Sequence, residues 1–128
     1  MKTFILCLSL SLLGVPGAWA RSLEDIMKEM STELKAVNEA IKNGVPQLEE
    51  TMAHAEKLRA ATDEAKTAQP QLDRVAALDY QRLLTSVEAQ TFALEITLLK
   101  ADRASQDKAV ADLKALMKEG HDKFKHGL

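Results

Sequence analysis

The sequence predicts an all-α protein, an antiparallel up-down-up-down four-helix bundle. Apolar residues recur at steps of three or four almost continuously after residue 20. Gly44, Pro46, Pro70 and the apolar-poor stretch "KADRASQD" cut this pattern into four segments of similar length. No segment alternates with period two, so no strand is expected. Four amphipathic helices with short connections bury their apolar faces best as an antiparallel bundle.

The first helix starts at Ser22, whose hydroxyl can cap it, with Asp25 in the first turn. Leu23, Met27, Met30, Leu34, Val37 and Ile41 trace its apolar face. Asn43-Gly44 stops it, because glycine tolerates the left-handed conformation a helix end requires. Pro46 suits the first turn of the second helix. That helix carries Leu48, Met52, Ala55, Leu58, Thr62 and Ala65 on one face. Pro70, in "TAQPQL", ends it. The third helix runs from about Asp73 to Ala101, with Tyr80, Leu84, Val87, Thr91, Leu94 and Leu98 inward. Asp102 or Ser105 caps the fourth, which presents Val110, Leu113, Met117, His121 and Phe124. In this topology the first helix begins and the fourth ends at the same end of the bundle.

Residues 1–20 read differently. Lys2, an apolar run from Phe4 to Val15 and the closing Ala18-Trp19-Ala20 have the pattern of a secretory signal with an A-x-A cleavage site. The run is too short to span a bilayer. The expected exported protein is one domain, residues 21–128, soluble and periplasmic. Cys7, the single cysteine, lies in the leader, so the core must hold without disulfides. The net charge of −2 over the full chain and the lack of a basic run argue against nucleic acid and anionic membranes as partners. The chain is read as a monomer.

Several chemistries lack their residues. There is no Gly-rich phosphate loop, no HExxH and no Glu-x-x-His pair of the di-iron bundles. Helical residues step by about 100°, so His121 sits about 40° from Met117, within the apolar stripe. His126 falls about 180° from Met117 and faces solvent, and His54 lies at the flank of the second helix. His121 near a helix C-terminus has a structural explanation in the macrodipole, and Met27 has one as core filler. Their joint position raises a further possibility. Both are expected to face inward at one end of the bundle on neighbouring helices, and a thioether opposite an imidazole suits haem iron. Zinc is poorly served, since no cysteine or carboxylate cluster completes a tetrahedron.

The opening "RSLEDIMKEMSTELKAVNEA" and the ending "LKALMKEGHDKF" resemble the first and last helices of the soluble cytochrome b562 proteins of the bacterial periplasm. "RAATDEAKTAQPQL" resembles their second helix and its proline loop. The resemblance implies a four-helix bundle binding one non-covalent haem b (heme b, iron protoporphyrin IX) per chain. It implies Met27 and His121 as axial ligands, and Met30, Leu34, Leu58, Tyr80, Leu84 and Met117 as pocket residues. The family commonly has phenylalanines where Tyr80 and Leu84 stand, and an arginine near a haem propionate where Met117 stands. Lys118 or Lys125 could take that arginine's place. Covalent attachment of the cytochrome c′ kind is excluded, because Met117-Lys118-Glu119-Gly120-His121 offers no thiol.

The expected function is periplasmic electron transfer by this haem, with no substrate converted, hence not an enzyme. Two alternatives stay open. One is a cofactor-free binding or stress protein of the same fold. The other is a weak transition-metal binder using the C-terminal histidines.

Overall fold

The computed structural model describes residues 21–125. Four helices follow one another: α1 (Leu23–Lys42), α2 (Leu48–Thr67), α3 (Arg74–Leu99) and α4 (Arg103–Phe124). Each packs along the next in an up-down-up-down bundle, and α4 closes back on α1 through the sparsest contact of the four. The described residues contain no strand. No described helix is long and apolar enough to cross a membrane. Residues 1–20, with the expected signal, and His126 lie outside the described residues.

The helix starts follow side-chain capping. Ser22 Oγ accepts from Asp25 N (3.2 Å), Asp73 Oδ1 from Ala76 N (2.8 Å) and Asp102 Oδ1 from Ser105 N (3.2 Å). Asp102, rather than Ser105, is thus the cap of α4; Ser105 donates its own hydroxyl to Asp102 Oδ2 (2.7 Å). α2 has no side-chain cap. Pro46 stands before its cap residue Gln47 rather than in its first turn, so it bends the connection instead of starting the helix.

Two helix ends share one geometry. After α1, Gly44 N–H reaches Ile41 O and Val45 N–H reaches Ala40 O, a Schellman closure with Gly44 at φ +79°. After α3, Ala101 N–H reaches Leu98 O and Asp102 N–H reaches Thr97 O, but the left-handed position is an alanine at φ +55°. Glycine announces the first end in the sequence; the apolar-poor stretch after Leu99 marks the second, but no residue type there marks the left-handed turn.

The core is aliphatic. Val37, Ile41, Leu58, Leu94 and Leu113 are wholly buried. Buried Thr62 and Thr91 satisfy their hydroxyls on the carbonyls four residues earlier, both at 2.8 Å. The expected inward face of α3 is buried in full. The faces of α1 and α4 depart from expectation at the end where α1 begins, and that departure shapes the site.

Candidate functional site

The α1–α4 contact opens at this end into a cleft of about 650 Å³. Cofactor and ligand sites typically measure about 300–1,000 Å³. α1 contributes Leu23 to Ser31 in part, α4 contributes Leu116 to Lys125 in part, α3 forms the floor with Tyr80, Leu83, Leu84 and Val87, and α2 adds Ala65.

Local packing holds the cleft open. Gly120 is buried, and a Cβ built on it would lie 2.7 Å from Leu83 Cδ2. Its missing side chain therefore lets α4 press closely on α3. Phe124 meets Tyr80 edge-on, with centroids 5.3 Å apart and planes at 89°. Arg82 and Lys123 add ion pairs to Glu119 and Asp79, each 3.0 Å, between the same two helices. On the other side Arg21 joins α1 to α2 through Glu64 (2.7 Å), and Glu33 meets His54 Nδ1 (2.5 Å). No ion pair joins α1 to α4 among the described residues. The ends of α1 and α4 are thus each drawn toward a neighbour and away from one another.

Met27 and His121 both line this cleft, as do Met30, Tyr80, Leu84 and Met117. Leu34 and Leu58 do not. They are buried at 4% and 0% exposure within the bundle core, away from the cleft lining. The expectation that His121 points inward is corrected, since its side chain is exposed on the cleft wall. The inner line of α4 runs through Leu113, Gly120 and Phe124, which turns His121 about 100° off it. The hydrophobic pattern overlooked Gly120 because glycine carries no apolar side chain, and so placed the stripe on Met117 and His121. α1 behaves alike. Ile26 takes the inner position and half-buried Met27 turns onto the flank that faces the cleft. Leu83 and Leu116 were also missed; the spacing of Leu116 from Leu113 and Gly120 was the available signal.

The floor is chemically settled. Tyr80 donates its hydroxyl to Ala65 O (2.5 Å), and Gln81 Nε2 donates to Lys66 O (3.0 Å). These two residues satisfy carbonyls that the C-terminal turn of α2 leaves without helical partners. Burial pushes the Tyr80 phenol up to about 12, so the hydroxyl stays protonated.

The cleft rim is charged. Glu24, Lys28, Lys118 and Lys125 border it. Lys118 donates to Asp122 (2.6 Å) and holds that carboxyl below its ordinary range. Among the described residues no three His, Cys, Asp or Glu side chains converge as a metal site. The cleft offers three thioethers, Met27, Met30 and Met117, and one imidazole, His121, on an apolar lining, with lysines at the mouth. This set fits a haem: thioether and imidazole donors for the iron, an apolar seat for the macrocycle and cations for its carboxylates. Comparison with known proteins found no matching family model, curated protein or solved structure.

Proposed function

We propose that this chain is an exported electron carrier that binds one non-covalent b-type haem between α1 and α4. Met27 and His121 are its axial ligands. The observation that carries the reading is that these two residues, from opposite ends of the chain, line one cofactor-sized cleft from facing helices. The likeness of both end motifs to the cytochrome b562 proteins supports it independently, and the signal-like leader supports a periplasmic location.

When bound, the haem supplies one-electron exchange between ferrous and ferric iron, and thioether-imidazole ligation favours a raised potential and leaves no axial site for substrate. The chain's own residues do the rest. Met27 from α1 and His121 from α4 would hold the iron. Leu83, Leu84 and Val87 exclude water from the buried face. Met117 and Met30 adapt their flexible side chains to the ring edge. Lys28, Lys118 and Lys125 border the mouth and would offer charge to the propionates.

The test is a titration of the chain from Arg21 onward with haemin. Saturable one-to-one binding, with a melting temperature raised by roughly 10 °C at a hundredfold excess over Kd, is the expected result. Identical melting curves and a spectrum that stays that of free haemin would favour the cofactor-free bundle instead.

A further inference from the structure

α3 carries a second apolar stripe, on the side away from the cleft. Val75, Leu78, Phe92, Ile96 and Leu99 are all exposed, Val75 by 78% and Leu99 by 64%. Only Leu48 joins them as a large exposed apolar side chain among the described residues. Arg82, Thr85 and Ala89 stand at the intervening positions and are exposed too. The steps from residue 75 to residue 99 alternate strictly between three and four. That is a heptad seam of the kind that packs against another helix. Two apolar clusters, Val75 with Leu78 and Phe92 with Ile96 and Leu99, thus flank a small and polar centre on one exposed line of α3.

We infer that this seam pairs antiparallel with the same seam of a second copy, about a two-fold axis near Val87. The seam is self-complementary in that direction. Val75 meets Leu99 of the second copy, Leu78 meets its Ile96, and Thr85 meets its Ala89, small against small at the crossing. Arg82 comes opposite Phe92, and its guanidinium, held by Asp79 and Glu119, lies at the level of the ring. A parallel pair would instead set Arg82 against Arg82 and align the two helix dipoles, both unfavourable. Phe92 is already held in place: Arg59 stacks over its ring at 4.5 Å while bound to Glu95. An anchor with a fixed rotamer loses little entropy on association. The two-fold makes the contact isologous and closed, so it yields a dimer and no filament.

The seam is about 36 Å long and a helix about 10 Å wide, a footprint of roughly 360 Å² per copy. Stable complexes bury about 800 Å² per partner. The footprint is less than half of that, so the dimer is weak and concentration-dependent. It leaves the α1–α4 cleft open and does not depend on what the cleft binds.

Sedimentation velocity of the chain from Arg21 to Leu128, from about 1 to 500 µM, tests this. The expected result is a shift from monomer to dimer across that range, abolished in Phe92→Glu and Ile96→Glu, both with unchanged helical circular dichroism. The residues from Arg21 on contain no cysteine, which allows a direct test of direction. Leu78→Cys mixed with Ile96→Cys should form a disulfide dimer, and Ile96→Cys alone should not. A monomer at every concentration, including one that instead sediments with lipid vesicles, would overturn the inference. So would a dimer that survives Phe92→Glu, or self-linking of Ile96→Cys.

Discussion

Gly120 decides how much room the cleft has. Its alanine variant gains helix propensity of up to about 1 kcal/mol, but its Cβ pushes on Leu83 Cδ2. Leu83 borders the cleft and can swing into it. Gly120→Ala should therefore keep or raise the melting temperature without haemin while weakening haemin binding at least tenfold, about 1.4 kcal/mol. A fall in melting temperature with unchanged binding would mean that Gly120 serves packing alone. Tyr80 makes a separate prediction. Its phenol titrates near 10 when unfolded and is pushed up to about 12 by burial. The folded state thus prefers the protonated form. That contribution is whole below pH 10 and is lost as the pH rises toward 12. Tyr80→Phe should lose about 1 kcal/mol at neutral pH through the freed Ala65 carbonyl, and its stability should fall less steeply between pH 10 and 12. Alkaline denaturation profiles of the two proteins measure this. At the residue scale the sequence was only partly legible. Met27 and His121 could be chosen, but their rotation could not, because the residue that sets the angle of α4 is a glycine with no hydrophobic signature.

At the scale of elements, the ends of the helices were the most legible features and one was hidden. Ser22, Gly44 and Asp102 mark boundaries through side-chain chemistry that the sequence displays. Ala101 adopts a left-handed conformation that only the whole connection imposes. An L-residue there costs roughly 1–2 kcal/mol relative to the right-handed region, offset by the greater unfolded-state freedom of glycine. Ala101→Gly should stabilise the protein by up to about 1 kcal/mol, read as a higher urea midpoint with unchanged slope. The ion pairs between helices show which elements move together. Arg21, Arg59 and Lys66 link the first three helices in order, while Asp79 and Glu119 clamp the end of α4 to α3. The exposed pairs among them contribute little stability singly, yet together they choose which seam stays open. Lys123 and then Arg82 hold the Asp79 carboxyl below its ordinary 3.8. Its contribution is present above pH 3.8 and disappears as the pH falls through the lowered value. Asp79→Asn should thus be less stable than the parent at pH 6 and equal to it in strong acid. Without haemin, amide exchange should be fastest in the first turns of α1 and the last turns of α4, where no ion pair spans the seam, and haemin should slow both.

Over the whole molecule, the four-helix order was legible because period and punctuation agreed along the chain. Which of the four seams opens was not, since that depends on cross-helix partners such as Arg82–Glu119 and Arg21–Glu64 that no local pattern reveals. The outer seam of α3 was legible in principle: Phe92, Ile96 and Leu99 have heptad spacing, but the stronger inward stripe through Tyr80, Leu94 and Leu98 drew the assignment. The molecule that results has two independent surfaces, a cleft between α1 and α4 and a seam on α3. The cleft carries the central claim. The measurement that tests it most directly is the visible spectrum, oxidised and reduced, of the haemin-loaded parent beside Met27→Ala, His121→Ala and His126→Ala. Sharp low-spin bands in the reduced parent, lost in the first two variants and kept in the third, are the predicted result. Bands that persist without Met27 or His121, or vanish with His126, would contradict the proposed ligand pair.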